Sequence, residues 1–144
     1  MPLGEGNTVL VEFSRQSSVQ TICSGIRQVL DAGYQPLVAH VERCSAVDAH
    51  TDNAARLIDL GAMIQINAGS VLGRAGLGQK RLCWKLMKQD LVHVVASDAH
   101  GPEYRPPELD LCANKIERRM GIAYAKTVLW DNPLKILSLG RGEE

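Results

Sequence analysis

Apolar positions along this chain follow two periods that alternate. Short unbroken runs at Thr8–Phe13, Pro36–Ala39, Met63–Asn67 and Leu91–Ala96 predict buried strands. Between them the period lengthens to that of a helix. Val19, Ile22, Cys23, Ile26, Val29 and Leu30 share one face of a segment running to about Ala32, and Gly33 follows as its stop. Asn53–Leu60, with Ala54, Leu57 and Ile58 on one side and Gly61 at its end, predicts a second helix, and about Lys80–Gln89 a third. The glycine-punctuated stretch Gly69–Gly78 and the proline-rich stretch Gly101–Pro107 read as loops. Helices near Glu108–Met120 and Ile122–Trp130 close the pattern, with Asp131-Asn132-Pro133 opening a final short turn.

Four strand–helix units in a row predict an α/β domain with a parallel sheet and right-handed crossovers, open or closed into a barrel. Such folds do their chemistry at the C-terminal ends of the strands. Val9-Leu10-Val11 stops at Glu12, Leu37-Val38-Ala39 stops at His40, and the fourth run leads into Ser97-Asp98-Ala99-His100. Two side chains two residues apart beyond a strand end can point the same way, so Asp98 and His100 can chelate. The competing reading makes them a helix cap or loop hydrogen bonds, and Glu12 a solvated cap. Ligands drawn from several strand ends favour the barrel. Carboxylates with imidazoles suit Mn²⁺, Fe²⁺ or Zn²⁺ better than Ca²⁺ or Mg²⁺.

Glu42 and Arg43 add two charged groups to the turn after His40, which is hard to explain as packing. Arg43 and Arg105 each lie within five residues of a proposed ligand. A guanidinium fork beside a metal is suited to a phosphoryl group, although either arginine could instead pair with a surface acid. His93, inside a strand run, reads as a satisfied core residue and His50 as a surface one.

At 144 residues the chain fits one domain with a real core, and 45% hydrophobic against 22% charged residues is globular. Sixteen basic and sixteen acidic residues cancel, which argues against a nucleic-acid footprint. The apolar runs are too short to span a bilayer and the N-terminus does not read as a leader, so a cytoplasmic location is expected. Four cysteines without a CxxC pair fit buried thiols in a reducing compartment. Cys112 and Arg118 match the C-x5-R spacing of cysteine-dependent phosphatases, but the intervening Ala113–Glu117 is helix-forming and lacks the glycines of a phosphate loop.

Ala39-His40-Val41-Glu42-Arg43 resembles an AHPER motif, and Gln65–Gly73 resembles QINAGSxLG. Ser97–His100 followed by Arg105-Pro106-Pro107 resembles SDAH…RPP, and Val9–Phe13 is similar to an LVEF strand. In that order, from about Thr8 to Leu137, the chain resembles the bacterial PHP-family tyrosine-protein phosphatases of capsular and exopolysaccharide loci. The resemblance implies an incomplete PHP-type (β/α) barrel, with parallel strands and helices outside. It also implies a multinuclear site that usually takes manganese, with Fe²⁺, Zn²⁺ or Mg²⁺ as alternatives. Glu12, His40, Asp98 and His100 would be metal ligands, while Arg43 and Arg105 would hold the phosphate and act in catalysis. The implied substrate is a phosphotyrosine protein, an autophosphorylated tyrosine kinase of polysaccharide export.

Two departures stand out. Val41 replaces the motif's proline, and with histidines only at 40, 50, 93 and 100 the chain has no His-x-His, with which the family begins. Residues 1–144 are therefore expected to be the C-terminal portion of a single PHP barrel domain, weak in metal binding and activity. The Thr8–Phe13 and Leu91–Ala96 strands would be open edges that invite self-association. Two alternatives stay open: a PHP phosphoesterase acting on a small phosphate ester, and a non-catalytic remnant that binds a polysaccharide-assembly kinase.

Overall fold

A computed structural model of the chain describes residues 2–97 and 108–138. Four strands, β1 (Thr8–Val11), β2 (Gln35–Val38), β3 (Met63–Asn67) and β4 (Val94–Ala96), form one parallel sheet in sequence order. Leu10 lies beside Leu37, Val38 beside Ile64, and Asn67 beside Ala96. The α/β architecture is as expected, and the sheet is not closed among the described residues. β1 and β4 are its edges, but β1 is not bare. Pro2 bridges antiparallel to Val9, and the Leu3 amide donates to the Thr8 carbonyl at 2.6 Å.

The helices form where the apolar period and the caps agree. α1 (Val19–Asp31) starts at Ser18, whose hydroxyl accepts from the Thr21 amide at 3.1 Å, and it buries Ile22, Cys23 and Ile26. After β2, a 3₁₀ turn at Val41–Arg43 leads into α2 (Ser45–Ala49) and α3 (Asp52–Leu60). α3 ends at Gly61, whose φ of 115° only glycine adopts cheaply. α4 (Ala68–Leu72) follows β3 directly, and α5 (Leu77–Lys88) starts three residues earlier than the periodicity predicts. Beyond β4 come α6 (Glu108–Met120) and α7 (Ile122–Lys126). α2 and α4, each five residues, are helices where loops are expected, because one turn is too short to display a period.

The chain's C-terminal helix also departs from expectation. Instead of a turn opening at Asp131, a π-helical turn at Thr127–Asp131 joins α7 to α8 (Asn132–Ser138) without a break. Pro133 supplies a physical reason. In an α-helix it lacks a donor and crowds the carbonyl four residues back, and a widened turn relieves that conflict.

The helices' apolar stripes bury one face of the sheet. Ile22, Ile26, Val38, Leu57, Ile64, Ile66, Leu86, Met87 and Ile116 are all at or below 1% exposure there. Each such side chain contributes about 1.5–3 kcal/mol by leaving water. The opposite face carries a smaller cluster, Leu37, Val94 and Ile136, so α8 lies across the inner side of the sheet. β4 is shorter than Leu91–Ala96 because His93 pairs differently. Its amide donates to the Ile64 carbonyl at 2.9 Å, while its Nδ1 accepts from the Ile64 amide at 3.0 Å. An imidazole thus takes the acceptor's place in the ladder, and burial pushes its pKa down toward the neutral form this bond requires. His93 is the satisfied residue expected, and His50 is exposed.

Candidate functional site

Parallel pairing of neighbouring strands carries their C-terminal ends to one edge. Val11 pairs with Val38, and the Ala39 amide donates to the Val11 carbonyl at 3.0 Å. Glu12 is the first residue after Val11 and His40 the second after Val38, and their side chains meet where the two strands end. His40 Nε2 lies 3.6 Å from Glu12 Oε1, with the imidazole 19% and the carboxylate 67% exposed. His40 reaches this position with left-handed backbone, φ 34° and ψ 56°. A non-glycine residue there costs about 1–2 kcal/mol, a strain that folded proteins concentrate at functional sites. Its carbonyl accepts from the Arg43 amide at 3.0 Å, which closes the 3₁₀ turn. Val41, in the place of the motif's proline, is buried in the main core.

Glu12 and His40 open onto a cavity of about 330 Å³ on the inner face of the sheet. Gln65, Ser97, Ile136 and Leu137 are among its other lining residues. Three strand ends thus supply this one space, the third through Ser97. Asp98, His100 and Arg105 lie outside the described residues. Gln65 has no assigned role in the sequence reading; the signal for it is the alternation within β3, where Ile64 and Ile66 enter the helical core and Gln65 faces the other way.

The donors present suit a metal. An imidazole nitrogen and a carboxylate oxygen on one ion, at bond lengths of about 2.1 Å, stand roughly 3.0–3.5 Å apart, close to the separation seen. Among the described residues no group of three His, Cys, Asp or Glu converges, so Glu12 and His40 are a pair.

Glu42 corrects the sequence reading. Two charges in the turn after His40 look hard to reconcile with packing. Glu42 is instead 2% exposed, and its Oε2 accepts from the Asn67 amide at 3.2 Å, at the start of α4. Burial pushes its carboxyl above the usual range, against the opposing pull of Ser70, nearby backbone amides and Arg43. Glu42 thus caps α4 from within the fold. Oε1 of Glu42 and the side-chain amide of Asn67 are buried without a hydrogen-bond partner among the described residues, leaving polar capacity at the end of β3. Arg43 is half-buried beside this group.

The stretch Gln65–Gly73 is largely structural. Ile66, Ala68 and Val71 are buried in the core. A side chain at Gly69 would come within 3.1 Å of Glu108 Oε2, so the glycine makes room for that carboxylate. Glu108, 7% exposed, pairs with Arg74 Nε at 2.7 Å, tying the turn after α4 to the start of α6. The C-x5-R spacing is confirmed as incidental: Cys112 is fully buried within α6 and burial holds its thiol up at about 12, so it is no thiolate nucleophile. All four cysteines are buried and free.

Comparison with known proteins shows what the chain as a whole is similar to. The chain is 35% identical over 140 residues to tyrosine-protein phosphatase CpsB of Streptococcus pneumoniae, covering 94% of this chain and 58% of that protein. Over 73 residues it is 37% identical to tyrosine-protein phosphatase YwqE of Bacillus subtilis (strain 168), covering 51% of this chain and 29% of that one. Its structure superposes with a TM-score of 0.82 and 26% identity on a chain from the crystal structures of YwqE and CpsB, described as unique metal-dependent tyrosine phosphatases. That match covers 94% of this chain and 55% of the other. The chain thus spans little more than half the length of CpsB. Residues 1–138 match the family described as capsular polysaccharide synthesis, CpsB/CapC, and the chain belongs to that family.

Proposed function

We propose that this chain carries the strand-end half of a metal-dependent protein-tyrosine phosphatase that regulates capsular or exopolysaccharide synthesis. The observation that supports it best is the meeting of Glu12 and His40 at adjacent strand ends, on a cavity that Ser97 also lines. Glu12, His40, Asp98 and His100 are assigned as metal ligands, and Arg43 and Arg105 as the groups that hold phosphate. Manganese is the metal favoured, ahead of Fe²⁺, Zn²⁺ or Mg²⁺. A metal bound there would supply an activated water and neutralise phosphate charge. The guanidinium forks orient the phosphoryl oxygens and balance the charge that spreads over them. Tyrosine leaves with a pKa of about 10, so little is asked of a general acid, and the burial of Glu42 keeps it in its structural role.

Residues 1–144 would then be the C-terminal portion of a single barrel domain, whose remaining ligands include the His-x-His absent from this sequence. The substrate favoured is a phosphotyrosine-bearing kinase of polysaccharide export, met in the cytoplasm. No described helix is long and apolar enough to cross a membrane. In the protein carrying these residues, Asp98→Ala and His100→Ala are expected to lower bound metal and abolish turnover of a phosphotyrosine peptide. Arg105→Ala should keep its metal and lose about 10²-fold in rate, since one transition-state donor is worth about 3 kcal/mol. Activity that survives EDTA, or preference for a small phosphate ester over the peptide, would overturn the assignment.

A further inference from the structure

A net charge of zero conceals a strongly uneven surface. Leu77, Arg81, Lys85 and Lys88 recur along α5 at helical spacing and form one exposed stripe, with Lys80 on the neighbouring row. Between this stripe and Arg119 of α6 runs a groove of about 570 Å³. Its lining contains five cations, Lys80, Arg81, Lys85, Lys88 and Arg119, and no carboxylate. Lys115 of α6 adds a sixth beside Lys80, and it is chiefly this neighbour that pushes the Lys80 ammonium below its usual pKa. Like charges at this spacing repel, so the folded chain carries a cost here that an anionic partner would remove. The groove shares no lining residue with the cavity of Glu12 and His40.

The details select among anions. Single-stranded nucleic acid seeks an open aromatic face on which to stack. Trp84, in the groove floor, is 5% exposed, and the Arg119 guanidinium covers its ring at 4.5 Å. A single phosphate asks for forks that converge on a point, whereas these cations are strung along a helix over about 12 Å. At the head of the stripe, Leu77 is 65% exposed, an apolar foothold next to the charges. A chain that offers carboxylates in series and an apolar side chain at one end fits both features. We propose that the groove between α5 and α6 docks an acidic segment of a partner polypeptide, its carboxylates along Arg81, Lys85 and Lys88 and an apolar residue against Leu77.

The test uses the full chain and a fluorescein-labelled, glutamate-rich peptide ending in leucine, followed by anisotropy. Saturable binding that weakens as salt shortens the screening length is expected. The double variant Arg81→Glu/Lys85→Glu changes two exposed side chains and should keep the wild-type circular dichroism and melting temperature. It should bind at least about tenfold more weakly, a loss of about 1.4 kcal/mol. Arg56→Glu, a reversal on the exposed side of α3, should bind like wild type. Absence of binding, equal binding by the double variant, or equal or tighter binding of a DNA oligonucleotide, heparin or anionic lipid vesicles would each overturn the proposal.

Discussion

The left-handed backbone at His40 yields a measurable contrast between two substitutions. His40→Gly and His40→Ala both delete the imidazole, its packing and its 3.6 Å approach to Glu12, so those losses cancel when the variants are compared with each other. What remains is the backbone. At an ordinary position alanine is more stable than glycine by about 0.5–1 kcal/mol, because glycine has more freedom to lose. At φ 34° the order reverses, since a Cβ in the left-handed region costs about 1–2 kcal/mol. The difference leaves His40→Gly more stable than His40→Ala by roughly 0.5–1 kcal/mol. For a domain of this size that is a melting temperature about 2–3 °C higher. Urea unfolding followed through the fluorescence of buried Trp84 reads the same difference as a shift in midpoint at unchanged slope. An alanine variant as stable as the glycine variant would refute the argument, and with it the claim that strain is held at this position.

Two further outcomes follow from buried charges. The Glu42 carboxyl has its pKa raised in the folded protein, so its proton stabilises the fold in acid and that stability is lost as pH rises from the ordinary value of 4.5 through the folded one. Glu42→Gln should therefore gain stability relative to wild type across that window, and a difference in urea midpoints that stays flat with pH would contradict the assignment. Arg74→Ala leaves the Glu108 carboxylate buried without its partner. Because Arg74 is itself half exposed, the expected cost is about 1–3 kcal/mol rather than the 3–5 of a fully buried pair, and adding Glu108→Gln should recover part of it. Equal stability of Arg74→Ala and wild type in the same denaturation would show the pair to be inert.

Elements with enough residues to display a period, such as α1, α3 and α6, were legible in the sequence, and so were all four strands. What escaped was short or conditional. α2 and α4 hold a single turn each, and the glycines around α4 read as loop although Gly73 serves as its left-handed cap. At the site, Glu12 and His40 could be singled out separately because each ends an apolar run, and parallel order then brings them together. The conformation of His40 could not be foreseen, since nothing in a histidine announces a positive φ. Glu42 misled for a related reason. A charged residue beside a ligand looks functional until its burial and the Asn67 amide it receives are known.

The π-helical turn between α7 and α8 also governs how this part of the chain can change. From Ile122 to Ser138 the backbone winds continuously, and the turn at Thr127–Asp131 holds one residue more than an α-helical turn would. Deleting a residue there would let the helix close up as α with little rotation, because five π-helical residues wind about as far as four α-helical ones. An added residue that the turn did not absorb would instead rotate everything beyond it by about 100°. Ile136 would swing away from Leu37 and Val94, and the inner face of the sheet would receive a different set of side chains. Asn132, whose amide reaches the His93 carbonyl at 2.9 Å, would lose that anchor in the same step. Substitutions within the turn change one contact each, whereas an added residue left unabsorbed re-indexes the whole of α8 against the sheet. In this segment an increase in the number of residues is under tighter constraint than their identity.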